Sequence, residues 1–217
     1  MTQTDERVQA RVADVRLGLV RLGSLVSSAV DAATCALTSG DLVGADQVIA
    51  DDDAVDAQRH AIEDECLRLL GSVALDPVAL RFVATTLRVA HELERTADLM
   101  VNVARTVWRL YPHALVAPVP VLLDRMGRQV TVQLRVAVNA FVDGDMASAA
   151  ALGDMDDAVD ELHDRLVRHA LTPAGSTGDD SVLEAVHLAL VARHFERAGD
   201  HTVTIAGWVP FVTTGER

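Results

Sequence analysis

LERTADLM (residues 93–100) and FERAGDHT (residues 195–202) decide how this 217-residue chain is built. Each contains Glu-Arg-x-x-Asp, at Glu94-Arg95 with Asp98 and at Glu196-Arg197 with Asp200, an offset of 102 residues. Working outward, Leu22-Gly23 matches Met126-Gly127, Gly40-Asp41 matches Gly144-Asp145, and Asp52-x-x-Val55-Asp56 matches Asp156-x-x-Val159-Asp160, all at an offset of 104. A change of two residues between the two offsets is what a surface loop tolerates, so the chain reads as one unit written twice.

Each unit reads as helix. Ala, Leu, Val, Arg and Glu dominate, and the breakers stand far apart: Gly40-Asp41, Asp76-Pro77, Tyr111-Pro112 with Pro118 and Pro120, Gly144-Asp145, and residues 172–180. They divide the chain into six helical segments. Alternation appears only around Pro118–Leu122, where two prolines exclude a central strand. Three antiparallel helices are the smallest bundle that closes a core. The expected fold is therefore all-α, two tandem three-helix bundles related by internal duplication, with residues 1–113 and 114–217 as the two units; a single six-helix bundle is the alternative.

Half of the residues are hydrophobic, which excludes a disordered acidic chain. With 19 Lys and Arg against 32 Asp and Glu the formal charge is −13, so neither nucleic acid nor an anionic lipid surface is an expected partner. The longest uncharged apolar run, Ala114–Leu123, is too short to cross a bilayer and holds two prolines. The polar, acidic N-terminal stretch lacks the pattern of a signal peptide. Cys35 and Cys66 have no C-x-x-C spacing and are expected to be two small buried thiols in a reducing compartment. These features lead to the expectation of a cytoplasmic protein with no direct membrane insertion.

Acidic pairs four residues apart would arise about five times by chance. Seven occur, and four of them occupy two equivalent places in each repeat. Leu80, Leu87, Glu94, Val101 and Trp108 recur every seven residues, as do Val182, Ala189, Glu196 and Val203, so a glutamate interrupts a line that faces or borders the core. Asp52 lies on the helical wheel between Val48, Ile49 and Val55, and Asp156 stands likewise beside Leu152 and Val159. Like charges at this spacing cost about 0.2–0.5 kcal/mol per pair, and more when shielded from water. Two pairs facing across neighbouring helices need a cation, and hard carboxylate oxygens suit magnesium, calcium, manganese or oxygen-bridged iron. The expectation is one metal site per bundle: Asp52, Asp56, Glu94 and Asp98 in the first, Asp156, Asp160, Glu196 and Asp200 in the second. The competing reading is a solvated face balanced by Arg59, Arg95 and Arg105 in the first half and Arg193 and Arg197 in the second.

On VIADDDAVDAQRHAIEDECLRLL (48–70), LRFVATTLRVAHELERTADLMVNVAR (80–105) and LVARHFERAGDHTVTIAGWVPFVTTGE (190–216), the chain resembles the PhoU family, accessory regulators of phosphate-specific transport. The likeness spans nearly the full length, repeat included. It implies two three-helix bundles whose E/D-x-x-x-D motifs bind multinuclear metal clusters, with iron and zinc joining the candidate ions, and it carries the ligand role onto the same eight acids. It also implies regulation of phosphate uptake and phosphate-starvation signalling through a phosphate transporter ATPase subunit and a sensor histidine kinase, with the protein peripheral to the inner face of the membrane through those partners. The second half keeps the family's Gly199 and His201, where the first has Ala97 and Leu99, with Thr96 for the usual isoleucine; Asn102 is kept, whereas its counterpart is Thr204. A homodimer is the expected assembly because elongated amphipathic bundles leave an apolar edge.

Two other classes compete with that reading. A carboxylate-bridged metal enzyme, oxidase or hydrolase, would use Glu184-x-x-His187, but the first repeat has no counterpart and His91-x-x-Glu94 runs in the opposite order. His187, His194 and His201 spread over four turns and cannot reach one ion; His201, beside Asp200, is the one auxiliary-ligand candidate. Ser24, Ser27 and Ser28 have no nucleophile elbow around them, and Trp108 and Trp208, near the ends of the third and sixth helices, are expected to serve core packing or bundle-end contacts. No catalytic constellation emerges. A metal-free helical adaptor is the third reading, should the acids be only salt-bridged.

Overall fold

Helices stop and restart where the sequence supplies the chemistry to do so. In the computed structural model, which describes residues 3–72, 75–172 and 179–216, six long helices run in succession. They are α1 (Gln3–Ser39), α2 (Leu42–Ser72), α3 (Pro77–Leu110), α4 (Val119–Asp143), α5 (Met146–Leu171) and α6 (Asp179–Ala206), followed by a short α7 (Val209–Thr214). Gly40 and Gly144 take left-handed φ values of 68° and 71°, which glycine adopts without a Cβ clash. The next residue closes one helix and opens another. Asp41 N–H donates to Ala36 O and Asp145 N–H to Ala140 O, each at 2.9 Å, while the Asp41 carboxylate accepts from Val43 N–H and the Asp145 carboxylate from Ala147 and Ser148 N–H. The repeated Gly-Asp is thus a reversal device used twice. Asp76 caps α3 in the same way, ahead of Pro77 in the first turn.

α1, α2 and α3 pack on one another, and so do α4, α5 and α6. The two bundles meet through α1 on α4 and α3 on α6, with α2 and α5 on the flanks. The meeting is reciprocal. A Cβ on Gly23 would press on Val138 at 2.9 Å, and one on Gly127 would strike Thr34. Gly23 and Gly127 are repeat equivalents, as are Thr34 and Val138. The bundles therefore face each other across a pseudo-twofold axis, as isologous partners do. One apolar core runs through both, from Leu19, Leu22 and Phe82 to Phe141, Leu152 and Phe195. Phe82 and Phe141 stack across the boundary with centroids 5.4 Å apart, and the Arg16 guanidinium lies 4.2 Å above Phe82. The bundles are joined by residues 111–118.

Two expectations are corrected. A seventh helix follows a break at Gly207–Trp208, and Pro210 in its first turn is the signal for it. Cys35 is exposed, because Ala33, Ala36 and Leu37 take the inward face of α1 and turn it outward; Cys66 is buried, and burial with nearby Glu65 and Glu63 pushes its thiol up to about 12. By length and composition alone Glu6–Ser39 of α1 passes for a membrane-crossing helix. Half of that window is buried inside the protein, as befits a core helix touching three others.

Candidate functional site

Burial of Val48 and Val55 against the core fixes how α2 is turned, and leaves Asp52 half-buried on the face toward α3. Asp56 follows one turn on, while Glu94 and Asp98 approach from α3. The result shows in the protonation of Asp52: burial first, then the charges of Asp98, Asp56, Glu94 and Asp53, hold its carboxyl above the usual carboxylate range. The second bundle repeats the arrangement with Asp156 and Asp160 from α5 and Glu196 and Asp200 from α6. Burial, followed by Asp160, Asp200 and Glu196, pushes Asp156 up to about 6, partly offset by the Gln133 amide. Glu196 is raised by burial and by Asp200, against the lowering effect of Arg193. In each set the other three acids lie near enough to Asp52 or Asp156 to raise its carboxyl.

Neutralisation by arginine is sparse. Among the described residues Arg193 pairs with Glu196, whereas Arg59 bonds Glu63 at 2.8 Å, and Arg95, Arg105 and Arg197 make no ion pair with any of the eight acids. His91 Nδ1 approaches Glu94 Oε2 to 3.3 Å without hydrogen-bond alignment. Among the described residues three carboxylate oxygens stay buried without an aligned hydrogen bond: Glu94 Oε2, Asp156 Oδ1, whose carboxyl only the nearby Gln133 amide relieves, and Glu196 Oε2. A buried charged oxygen with no donor is costly, so these atoms mark where a positive group is missing. Their chemistry, all hard oxygen, fits magnesium, manganese, calcium or iron. As the side chains stand, no three Asp, Glu, His or Cys among the described residues converge closely enough to hold an ion.

The two sites differ in what surrounds them. Asp156 Oδ1 lies over Gly199, where a Cβ would collide with it, and the wholly buried Gln133 of α4 fills the space behind, its Oε1 3.4 Å from the Thr202 hydroxyl. In the first bundle the corresponding residues are Ala97 and Ala29. There a cleft of 330 Å³ opens beside Asp52, lined by Leu25, Ala29, Val48, Asp51, Ala97 and Val101. Sequence reasoning missed Gln133, although an amide between Val130 and Leu134 on an apolar stripe was a visible signal. His201 is not an auxiliary ligand here: it is buried between the bundles, its Nδ1 3.0 Å from Thr96 Oγ1 and its Nε2 3.8 Å from Glu92, and burial pushes it down to about 4. Trp108 and Trp208 take the expected end positions, Trp108 donating to Asp46 and Trp208 lying under Arg88.

The fold defines a class of all-helical protein, a duplicated three-helix bundle with the same four acids at equivalent positions in each half. The PhoU domain family matches residues 19–107 and 123–209, and the chain belongs to that family. It is 33% identical over 211 residues to a phosphate-specific transport system accessory protein PhoU homolog of Mycobacterium tuberculosis, covering 90% of this chain and 89% of that one. A Caulobacter vibrioides protein described by the same name is 29% identical, over 91% and 86% of the two chains. The crystal structure of PhoU from Pseudomonas aeruginosa superposes with a TM-score of 0.87 at 27% identity, covering 96% and 99%. These relatives are named as accessory proteins, and the family is one of helical adaptors rather than enzymes.

Proposed function

We propose that this chain is a cytoplasmic negative regulator of phosphate uptake and phosphate-starvation signalling, working through contacts with a phosphate transporter ATPase subunit and a sensor histidine kinase. Its relatives are named as accessory proteins of phosphate-specific transport, which supports the transport half of that reading. In the same reading each bundle holds a hard cation, mononuclear or multinuclear, on Asp52, Asp56, Glu94 and Asp98 and on Asp156, Asp160, Glu196 and Asp200. The observation that carries the metal is the pair of buried oxygens without an aligned hydrogen bond, Asp156 Oδ1 and Glu196 Oε2, in a cluster where burial and mutual repulsion raise Asp156 to about 6. Bound metal would neutralise that repulsion and tie α5 to α6. An apolar edge on α6, with Val182, Val186 and Leu190 exposed, supports homodimerisation.

The test is a change of sign. With a chelator present, Asp156→Asn removes a repelled charge and raises the melting temperature. With manganese or iron supplied, wild type gains stability by mass action and the variant gains much less, so their order reverses. Identical ordering under both conditions would return the protein to the metal-free adaptor reading. The regulatory half is checked by deleting the gene: phosphate uptake should become insensitive to external phosphate. Sedimentation as a dimer, lost in Val186→Asp, checks the assembly.

A further inference from the structure

The pseudo-twofold axis pairs a hydroxyl with a carboxylate on one side and a hydroxyl with a guanidinium on the other. On the first side the buried Thr131 hydroxyl donates to Asp31 Oδ1 at 2.7 Å. The repeat equivalents of Thr131 and Asp31 are Ser27 and Arg135. Ser27 is 3% exposed and its Oγ has no hydrogen-bond partner. Arg135 cannot supply one for the proton, because a guanidinium only donates. Ser27 and Arg135 line the same cleft of 340 Å³ between α1 and α4, together with Ser24, Ser28 and Asn139. Ser24 gives its proton to Val20 O. Among the described residues Arg135 has no ion-pair partner, and Ser28 and Asn139 make no side-chain hydrogen bond. A carboxylate has been exchanged for a cation, which leaves a buried hydroxyl, a guanidinium, an amide and a second hydroxyl lining one space with no anionic acceptor among them.

From this we infer that the α1–α4 cleft binds a tetrahedral oxyanion of the phosphate type, either inorganic phosphate or the phosphate group of a small phosphomonoester. Such an anion offers acceptors in several directions at once: Arg135 takes two oxygens side by side, Ser27 donates to a third, and Ser28 and Asn139 close the rim. The requirement for an acceptor, not the net charge of the chain, selects the ligand; a cation would meet Arg135 with repulsion. None of the eight paired acids takes part, so the site stands or falls apart from the metal reading.

Calorimetric titration of the full chain with inorganic phosphate and, separately, with methyl phosphate, both in chelator, tests it. Binding is expected, weakened about tenfold or more by Arg135→Ala, the scale of a lost charge-assisted contact, and to a smaller extent by Ser27→Ala. Arg135 is exposed and Ser27→Ala deletes an unsatisfied group, so both variants should fold, with melting temperatures at or above wild type without ligand. Methyl phosphate matching phosphate points to an esterified ligand; phosphate binding at least tenfold tighter points to the free ion. Absence of binding by both, or binding that Arg135→Ala and Ser27→Ala leave unchanged, overturns the inference, as does binding that disappears instead in Asp156→Asn. In the last case the anion sits on the carboxylate cluster.

Discussion

The two bundles carry the same four acids at the same helical positions, yet set them in different surroundings. In the second, Gly199 lets the Asp156 carboxylate sink inward and the buried Gln133 closes the space behind it. In the first, Ala97 and Ala29 stand in those places and a cleft of 330 Å³ remains. Glu196 has a guanidinium from Arg193 one turn back, whereas Glu94 has the imidazole of His91. One backbone thus supports a closed, strongly repelled cluster and an open one. The motif places the acids; a single residue on the opposing helix, amide or methyl, decides how much water they keep.

Opening the closed site should cost most. Gln133→Ala would recreate in the second bundle the cleft of the first, and the cavity should destabilise by about 2 kcal/mol in urea unfolding, less what is regained by removing the unpartnered Gln133 Nε2. If Gln133→Ala is neutral, the amide is not the wedge described and the contrast between the bundles fails.

Acidity should separate the sites next. Asp156 titrates near 6 when folded and near the ordinary 3.8 when unfolded, so the folded state holds more protons between those values. Stability of the metal-free protein should therefore rise as pH falls from about 7 toward 4, by about 1 kcal/mol from Asp156 once solvent screening is allowed for. Asp52 and Glu196 act in the same direction. Chemical denaturation in chelator at two pH values measures the slope, and Asp156→Asn should flatten it more than Asp52→Asn.

Gly199→Ala should make the second site resemble the first. A Cβ there displaces Asp156 toward water, so its pKa, followed by carboxyl NMR, should drop from about 6 toward the ordinary range. Net stability should move by less than about 1 kcal/mol, since the helix gain of alanine opposes the collision. Smallest of all, Ala29→Leu should fill the first bundle's cleft and stabilise by up to about 1 kcal/mol.

Much of this architecture was legible as pattern. Gly40-Asp41 and Gly144-Asp145 announced the reversals because left-handed backbone and an amide-accepting side chain are properties of single residues. The eight acids were legible because their place on the wheel, beside Val48, Val55, Leu152 and Val159, is set by helical period alone. What escaped notice depends on the opposing helix. Gln133 and Gly199 act through a packing partner no local rule names, and His201 was drawn toward the acids by adjacency to Asp200 when the other bundle claims its ring. Cys35 looked apolar by its neighbours and is exposed because Ala33, Ala36 and Leu37 hold the inward face of α1.

The reciprocal seating of Gly23 on Val138 and of Gly127 on Thr34 has a consequence for divergence. In an assembly of two separate identical chains, every substitution strikes both halves of the interface, and each pairing weakens on dilution. Here the halves lie on one polypeptide held by residues 111–118, so dilution cannot part them and each can be altered alone. An arginine facing Ser27 while an aspartate faces Thr131 is open to a fused pair and closed to a true twofold one.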